Sequence, residues 1–139
     1  MMTSIAVRLR PGQDLLIELE RLVEEQAVDA ACVLTCVGSL TTAVLRFANQ
    51  ENAEVLHGHF EIVSLTGVLS RHGSHCHIAL SDESGRTVGA HLLEGCTVYT
   101  TAEIVLGVCS GVRFLRTHDS ETGFPELEIE VVASGKGEG

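Results

Sequence analysis

Hydrophobic and polar positions alternate through Ser4–Arg10, with Ile5, Val7 and Leu9 on one side, which predicts a half-buried strand. Pro11-Gly12 breaks it. Asp14 is placed to cap a helix running to about Gln26, whose stripe Leu15, Leu16, Leu19, Leu22 and Val23 faces a core. The other face carries Glu18, Glu20, Glu24 and Glu25 and reads as solvated surface. Beyond the helix the period changes from helical to extended. Ala30–Val37 is a continuous apolar run suited to a strand buried on both faces, and Leu40–Phe47 reads as the next strand. Asn49–Asn52 is a polar loop. Phe60–Ser70 alternates, with Phe60, Ile62, Ser64 and Thr66 expected on one side and Val63 and Leu65 on the other. Further strands are expected at Ser74–Ser81, Arg86–Leu93, Thr97–Val108, Val112–Leu115 and Leu127–Val132. One principal helix against eight or nine strands predicts an α+β class with a mainly antiparallel sheet. A single domain over residues 3–133 accounts for the pattern, and the Gly-rich stretch 134–139 is expected to be a flexible tail.

Composition sharpens this picture at three points. Aromatics make up only 4% of the chain and Trp is absent, so Val, Leu, Ile and Ala must build the core. Nineteen acidic residues stand against nine basic ones, a net charge of −10, and the arginines are scattered. That charge disfavours direct DNA binding, which needs clustered Lys and Arg. Five cysteines, none in a C-x-x-C pair, each lie in an apolar stretch and read as buried reduced thiols. With no signal peptide and no membrane span in the pattern, a cytoplasmic, membrane-free protein is expected.

The concentrated chemistry is a histidine cluster. His75 and His77 are two apart on a predicted strand and therefore share a face, while Cys76, Ile78 and Leu80 take the other. The bulky face should pack on the core, leaving the histidines over small residues. Whether His91 joins them depends on the turn Asp82-Glu83-Ser84-Gly85. A three-residue loop with Gly85 in the left-handed conformation pairs Asp82 with Arg86 and sets His77 opposite His91. A two-residue loop at Glu83-Ser84 sets His91 opposite Cys76 instead. Gly85 is badly placed for the second option, which favours the first. Three converging imidazoles match a metal site with an open fourth position, for zinc or another divalent transition metal. A His-x-His on an exposed strand face is equally compatible with plain surface. His57 and His59 flank Gly58 at an expected bend, and His72 and His118 fall in expected loops.

Glu103 is a carboxylate in an otherwise apolar or small stretch, Val98–Leu106, and burying one is costly unless it is paired or ligating. It is the candidate catalytic residue, as a base beside a metal or an orienter of a ligating histidine. The alternative is a glutamate paired with an arginine such as Arg8 or Arg71.

Arg10-Pro11-Gly12-Gln13-Asp14-Leu15, Phe60–Gly67, His75–Asp82, Gly85–Leu92 and Thr100–Leu106 occur together and in this order. The combination resembles the PPC domain (plants and prokaryotes conserved) from about Thr3 to Val132. The resemblance implies an α+β fold with an antiparallel sheet that assembles as a homotrimer. Plant members follow AT-hook segments in nuclear DNA-binding proteins. This chain has no Arg-Gly-Arg-Pro hook, and Gly58-His59-Phe60-Glu61-Ile62 stands where plant members have Gly-Arg-Phe-Glu-Ile. Free-standing prokaryotic-type members are similar, with His-x-His and a later Gly-(Gly/Ala)-His like Gly89-Ala90-His91. That pattern implies a metal site at His75, His77 and His91. The expected function is a trimeric module, metal-bound, that binds a protein partner or small ligand without catalysis. The alternatives are a metal-dependent enzyme that activates water and a DNA-associated regulator recruited through a partner.

Overall fold

A computed structural model describes residues 1–133. The elements are β1 (Met2–Leu9), α1 (Leu15–Glu25), β2 (Ala31–Arg46), β3 (Glu54–Ser70), β4 (Gly73–Ser81), β5 (Thr87–Leu92), β6 (Thr97–Cys109), β7 (Val112–His118) and β8 (Pro125–Val131). Six strands form one antiparallel sheet in the order β1-β6-β2-β3-β4-β5, and β7 and β8 pair as a separate hairpin. β5 also pairs with the end of β2, through Leu45↔Leu92 and Arg46↔His91. The strands β2, β3, β4 and β5 therefore close on themselves. No helix among the described residues is long and apolar enough to cross a membrane. The expected α+β class with one helix is what the chain adopts; the stretch 134–139 lies outside the described residues.

The helix lays Leu15, Leu16, Leu19 and Val23 onto the inner face of the sheet, where they join Leu40, Leu45, Leu69, Leu80, Leu92, Ile104 and Leu106 in one aliphatic core. Asp14 fixes where the helix begins. Its Oδ1 accepts the Ile17 N–H at 3.0 Å as an N-cap, and its Oδ2 accepts the Gly95 N–H at 2.6 Å. One carboxylate thus ties the helix start to the loop before β6.

Two predicted strands, Ala30–Val37 and Leu40–Phe47, are a single 16-residue strand, β2. Gly38 was expected to end the first. Instead it lets the chain run on, because β6 approaches so closely that a Cβ at Gly38 would collide with the Thr101 carbonyl and come within 2.7 Å of the Ala102 Cα. Register shifts beside Gly38 and between Leu40 and Thr42 absorb the twist of so long a strand. Opposite Gly38–Ser39, Thr100 takes φ 63°, a strained value for a β-branched residue. A register shift in β3, between Ile62 and Ser64, corrects the predicted faces of that strand. The extra residue Val63 flips the parity, so Phe60 and Ile62 share the core face with Leu65, and Ser64 and Thr66 turn outward. His118 pairs with Pro125 as the last residue of β7, where a loop was expected.

Replacing Asp14 by Ala removes both acceptors and should lower unfolding stability by about 2 kcal/mol. Chemical denaturation followed by circular dichroism measures this, and Asn at the same position should lose less because its side-chain carbonyl still accepts one N–H.

Candidate metal centre

β4 places His75 and His77 on its outward face and sends Cys76, Ile78 and Leu80 into the core. The turn after β4 closes with three residues, Glu83, Ser84 and Gly85. The Asp82 N–H donates to the Arg86 carbonyl at 2.9 Å, the Gly85 N–H donates to the Asp82 carbonyl, and Gly85 sits at φ 83°. The Asp82 carboxylate accepts the Ser84 hydroxyl (2.6 Å) and the Ser84 and Arg86 N–H groups. These bonds, the Ser84 hydroxyl first, hold the Asp82 carboxyl below its ordinary range. The resulting register pairs His77 with His91 on β5, as the three-residue loop requires.

The three imidazoles gather on one outer face. Ring centroids lie 4.9 Å apart for His75–His77, 5.1 Å for His75–His91 and 5.7 Å for His77–His91, and one nitrogen from each ring falls within 4.8 Å of the others. Three imidazoles on a tetrahedral zinc stand about 3.3 Å apart, given Zn–N bonds of about 2.0–2.1 Å. Small side-chain rotations close that difference, so the residues fit a divalent ion. Thr66 and Val68 on β3 lie directly opposite His77 and His75. A depression of about 560 Å³ opens beside the triad, lined by Arg46, Asn49, Ser64, Thr66, Ala79 and Gly89 together with the histidines.

Partial burial lowers the pKa of His75, with the neighbouring His77 and the Arg116 charge adding to the effect; the Glu126 carboxylate opposes it. His91 is lowered by burial first and then by Arg46. Neutral imidazole, the form that binds metal, is thus favoured at neutral pH. Cys76, although between two of the histidines in sequence, points away, and burial pushes its thiol up to about 11. Cys36 and Cys96 are likewise raised to about 11 by burial. All three thiols lie in the core, apart from the gathered imidazoles.

Glu103 is not brought to this site. It lies exposed on β6, opposite Arg8 of β1 and Val37 of β2, and β2 and β3 stand between it and β4. The Thr101 hydroxyl links the two charges, accepting from Arg8 Nε at 3.1 Å and donating to Glu103 at 3.4 Å. Arg71 pairs with Asp29 instead (2.8 Å). The remaining histidines are dispersed: His59 contacts Glu83 and the Tyr99 ring, and His72 approaches Asp29. Sequence reasoning missed Arg46, which the β2–β5 pairing sets beside His91. A contact between residues 45 positions apart leaves no local periodic signal.

A family model described as the Plants and Prokaryotes Conserved domain matches residues 1–110. Among solved structures, a hypothetical protein of Salmonella enterica superposes with a TM-score of 0.92 at 40% identity, covering 94% of this chain and 95% of that one. A protein of Archaeoglobus fulgidus described as metal-containing superposes at 0.79 with 27% identity, covering 91% and 93%. The bifunctional protein GlmU of Synechococcus sp. (strain JA-3-3Ab) is 50% identical over 127 residues, 91% of this chain. The chain spans about a fifth of the length of the curated relatives it matches.

The lowered pKa values have a consequence for the metal-free protein. As pH falls, the unfolded chain takes up protons at the ordinary histidine pKa, about 6.5, before His75 and His91 do in the fold. Stability should therefore be fully present above that value and decline as pH drops through it. An NMR pH titration of the imidazole resonances, with thermal melts at matched pH, should find His75 and His91 titrating below the ordinary value and the melting temperature falling over the same range.

Proposed function

Because the chain belongs to the Plants and Prokaryotes Conserved domain family, we infer that it acts as a self-associating, metal-binding module whose ion is held by His75, His77 and His91. The convergence of the three imidazoles on one sheet face carries this reading. The likeness to a metal-containing protein of Archaeoglobus fulgidus supports it. The donor set suits zinc, and imidazole also suits copper, iron and nickel. An ion held by these three imidazoles would supply Lewis acidity to a further ligand. His75, His77 and His91 would hold the ion, with Thr66, Ala79 and Gly89 among the residues lining the depression beside it. Glu103 stands away from the site and none of the residues lining the depression is a carboxylate, which favours binding over hydrolysis.

Self-association, as a homotrimer, is the second part of the reading. Leu34 (52% exposed), Val37 (61%) and Val63 (58%) form an apolar patch on the outer face of β2 and β3, at or beside the register shifts between Val33 and Thr35, Gly38 and Ser39, and Ile62 and Ser64. The three histidines occupy the same face on β4 and β5, His75 and His77 opposite Val68 and Thr66 of β3. Exposed aliphatic surface of this kind on a sheet favours contact with a second copy. A net charge of −10 per chain makes unassisted DNA contact unfavourable, so any partner is a protein or a small ligand. A cytoplasmic setting is part of the same proposal.

Native mass spectrometry tests both parts together. The expected species is three chains of 14.8 kDa carrying one zinc per chain after incubation with the metal. His77→Ala should keep the assembly and lose the metal, and Val63→Glu should shift the mass to the single chain. A wild-type protein that takes up no metal contradicts the first part, and a monomer contradicts the second.

A further inference from the structure

Arg46 closes β2 directly opposite His91, so β5 holds His91 between His77 on one side and an arginine on the other. Its side chain is exposed and makes no hydrogen bond or ion pair among the described residues, and it lines the depression beside the triad. That depression contains no Asp or Glu, in a chain with 19 acidic residues against 9 basic ones. The rest of its lining is uncharged: small or polar residues, with Phe47 and Ile78 as its larger apolar members. Ser64 and Thr66 present hydroxyls, and Asn49, at φ 58° in the turn closed by the Gln50 N–H on the Phe47 carbonyl, stands at the mouth. A second guanidinium approaches from the hairpin: Arg116 on β7 lies across Gly73, where an added Cβ would sit 2.8 Å from its Cγ, next to His75. Glu126, which accepts the Thr122 hydroxyl at 3.1 Å, lies on that side too and offsets part of its charge.

Charge decides what this space accepts. Three imidazoles bind an ion in their neutral form, so the protein ligands cancel none of its 2+ charge. Arg46, opposite His91 and on the lining of the depression, adds another positive charge beside the triad. We propose that the depression binds a small-molecule oxyanion, a carboxylate or a phosphate, which occupies the ion's open position and pairs with Arg46. This rests on the metal-binding reading above. The guanidinium supplies a planar pair of donors suited to either anion, and the half-buried Phe47 gives an organic ligand an apolar wall. Arg46 is a ligand-binding residue in this account, without a part in holding the ion.

Cobalt(II) in place of zinc makes the site visible by its absorption. Acetate, inorganic phosphate and neutral glycerol are titrated into cobalt-loaded wild-type protein, Arg46→Gln and Arg8→Gln, the last replacing an arginine on the remote edge strand β1. The expected result is a saturable spectral change with acetate or phosphate and none with glycerol. A response to acetate alone assigns carboxylates, and a response to phosphate alone assigns phosphate esters. Arg46→Gln should weaken the response about tenfold or more, as loss of a charged hydrogen bond does, with cobalt stoichiometry unchanged. Arg8→Gln should match wild type. Cobalt bound without an anion response, or an equal response in Arg46→Gln, overturns this inference alone. Failure of the wild-type protein to bind cobalt overturns the metal reading and this inference with it.

Discussion

The closure of the β4–β5 hairpin at Asp82 and Gly85 is the constraint on which the histidine site depends. Side chains alternate faces along a strand, so a slip of one residue carries a side chain to the other side of the sheet. Gly85 supplies a left-handed conformation at low cost, and the Asp82 carboxylate gathers one hydroxyl and two backbone N–H groups. Together they fix a three-residue loop. With that loop His91 meets His77; with a shorter one it would face Cys76 and the core. The register that brings the three histidines together is therefore set by a turn that begins five residues beyond His77.

What surrounds the triad follows from how long strands relieve their twist. β2 and β3, of 16 and 17 residues, pass through several irregularities rather than ending. At one of these Val63 is turned to the surface next to Val37, and beyond it Ser64 and Thr66 face the histidines. The same local adjustment leaves an exposed apolar patch and a polar wall for the depression. The strand β2 then reaches far enough to pair with β5, which sets Arg46 opposite His91 and on the lining of the depression beside the triad. An acidic chain thereby carries a positively charged recess beside its only histidine cluster of this kind among the described residues.

The parts legible in the sequence were those set by neighbours in the chain. The Asp14 cap, the helix stripe, the parity of His75 and His77 and the loop containing Gly85 all rest on residues within one turn or one hairpin, and the structure agrees with each. The union of Ala30–Val37 with Leu40–Phe47 was not legible, because Gly38 reads as a break until β6 is packed against it. The flipped faces of β3 were hidden for a related reason: a single extra residue at Val63 leaves an alternating pattern intact on both sides of it. Glu103 looked costly inside an apolar strand, yet its side of β6 is the outer face, where Thr101 and Arg8 meet it. Arg46 and Arg116 could only be found in three dimensions, since each reaches the site from a distant part of the chain.

Anomalous diffraction at the zinc edge from crystals of the metal-loaded protein tests the central claim most directly. The account predicts one peak per chain, bonded to one nitrogen each of His75, His77 and His91, with Arg46 facing the remaining side. A peak at other residues, or none at the triad in protein saturated with zinc, would contradict it.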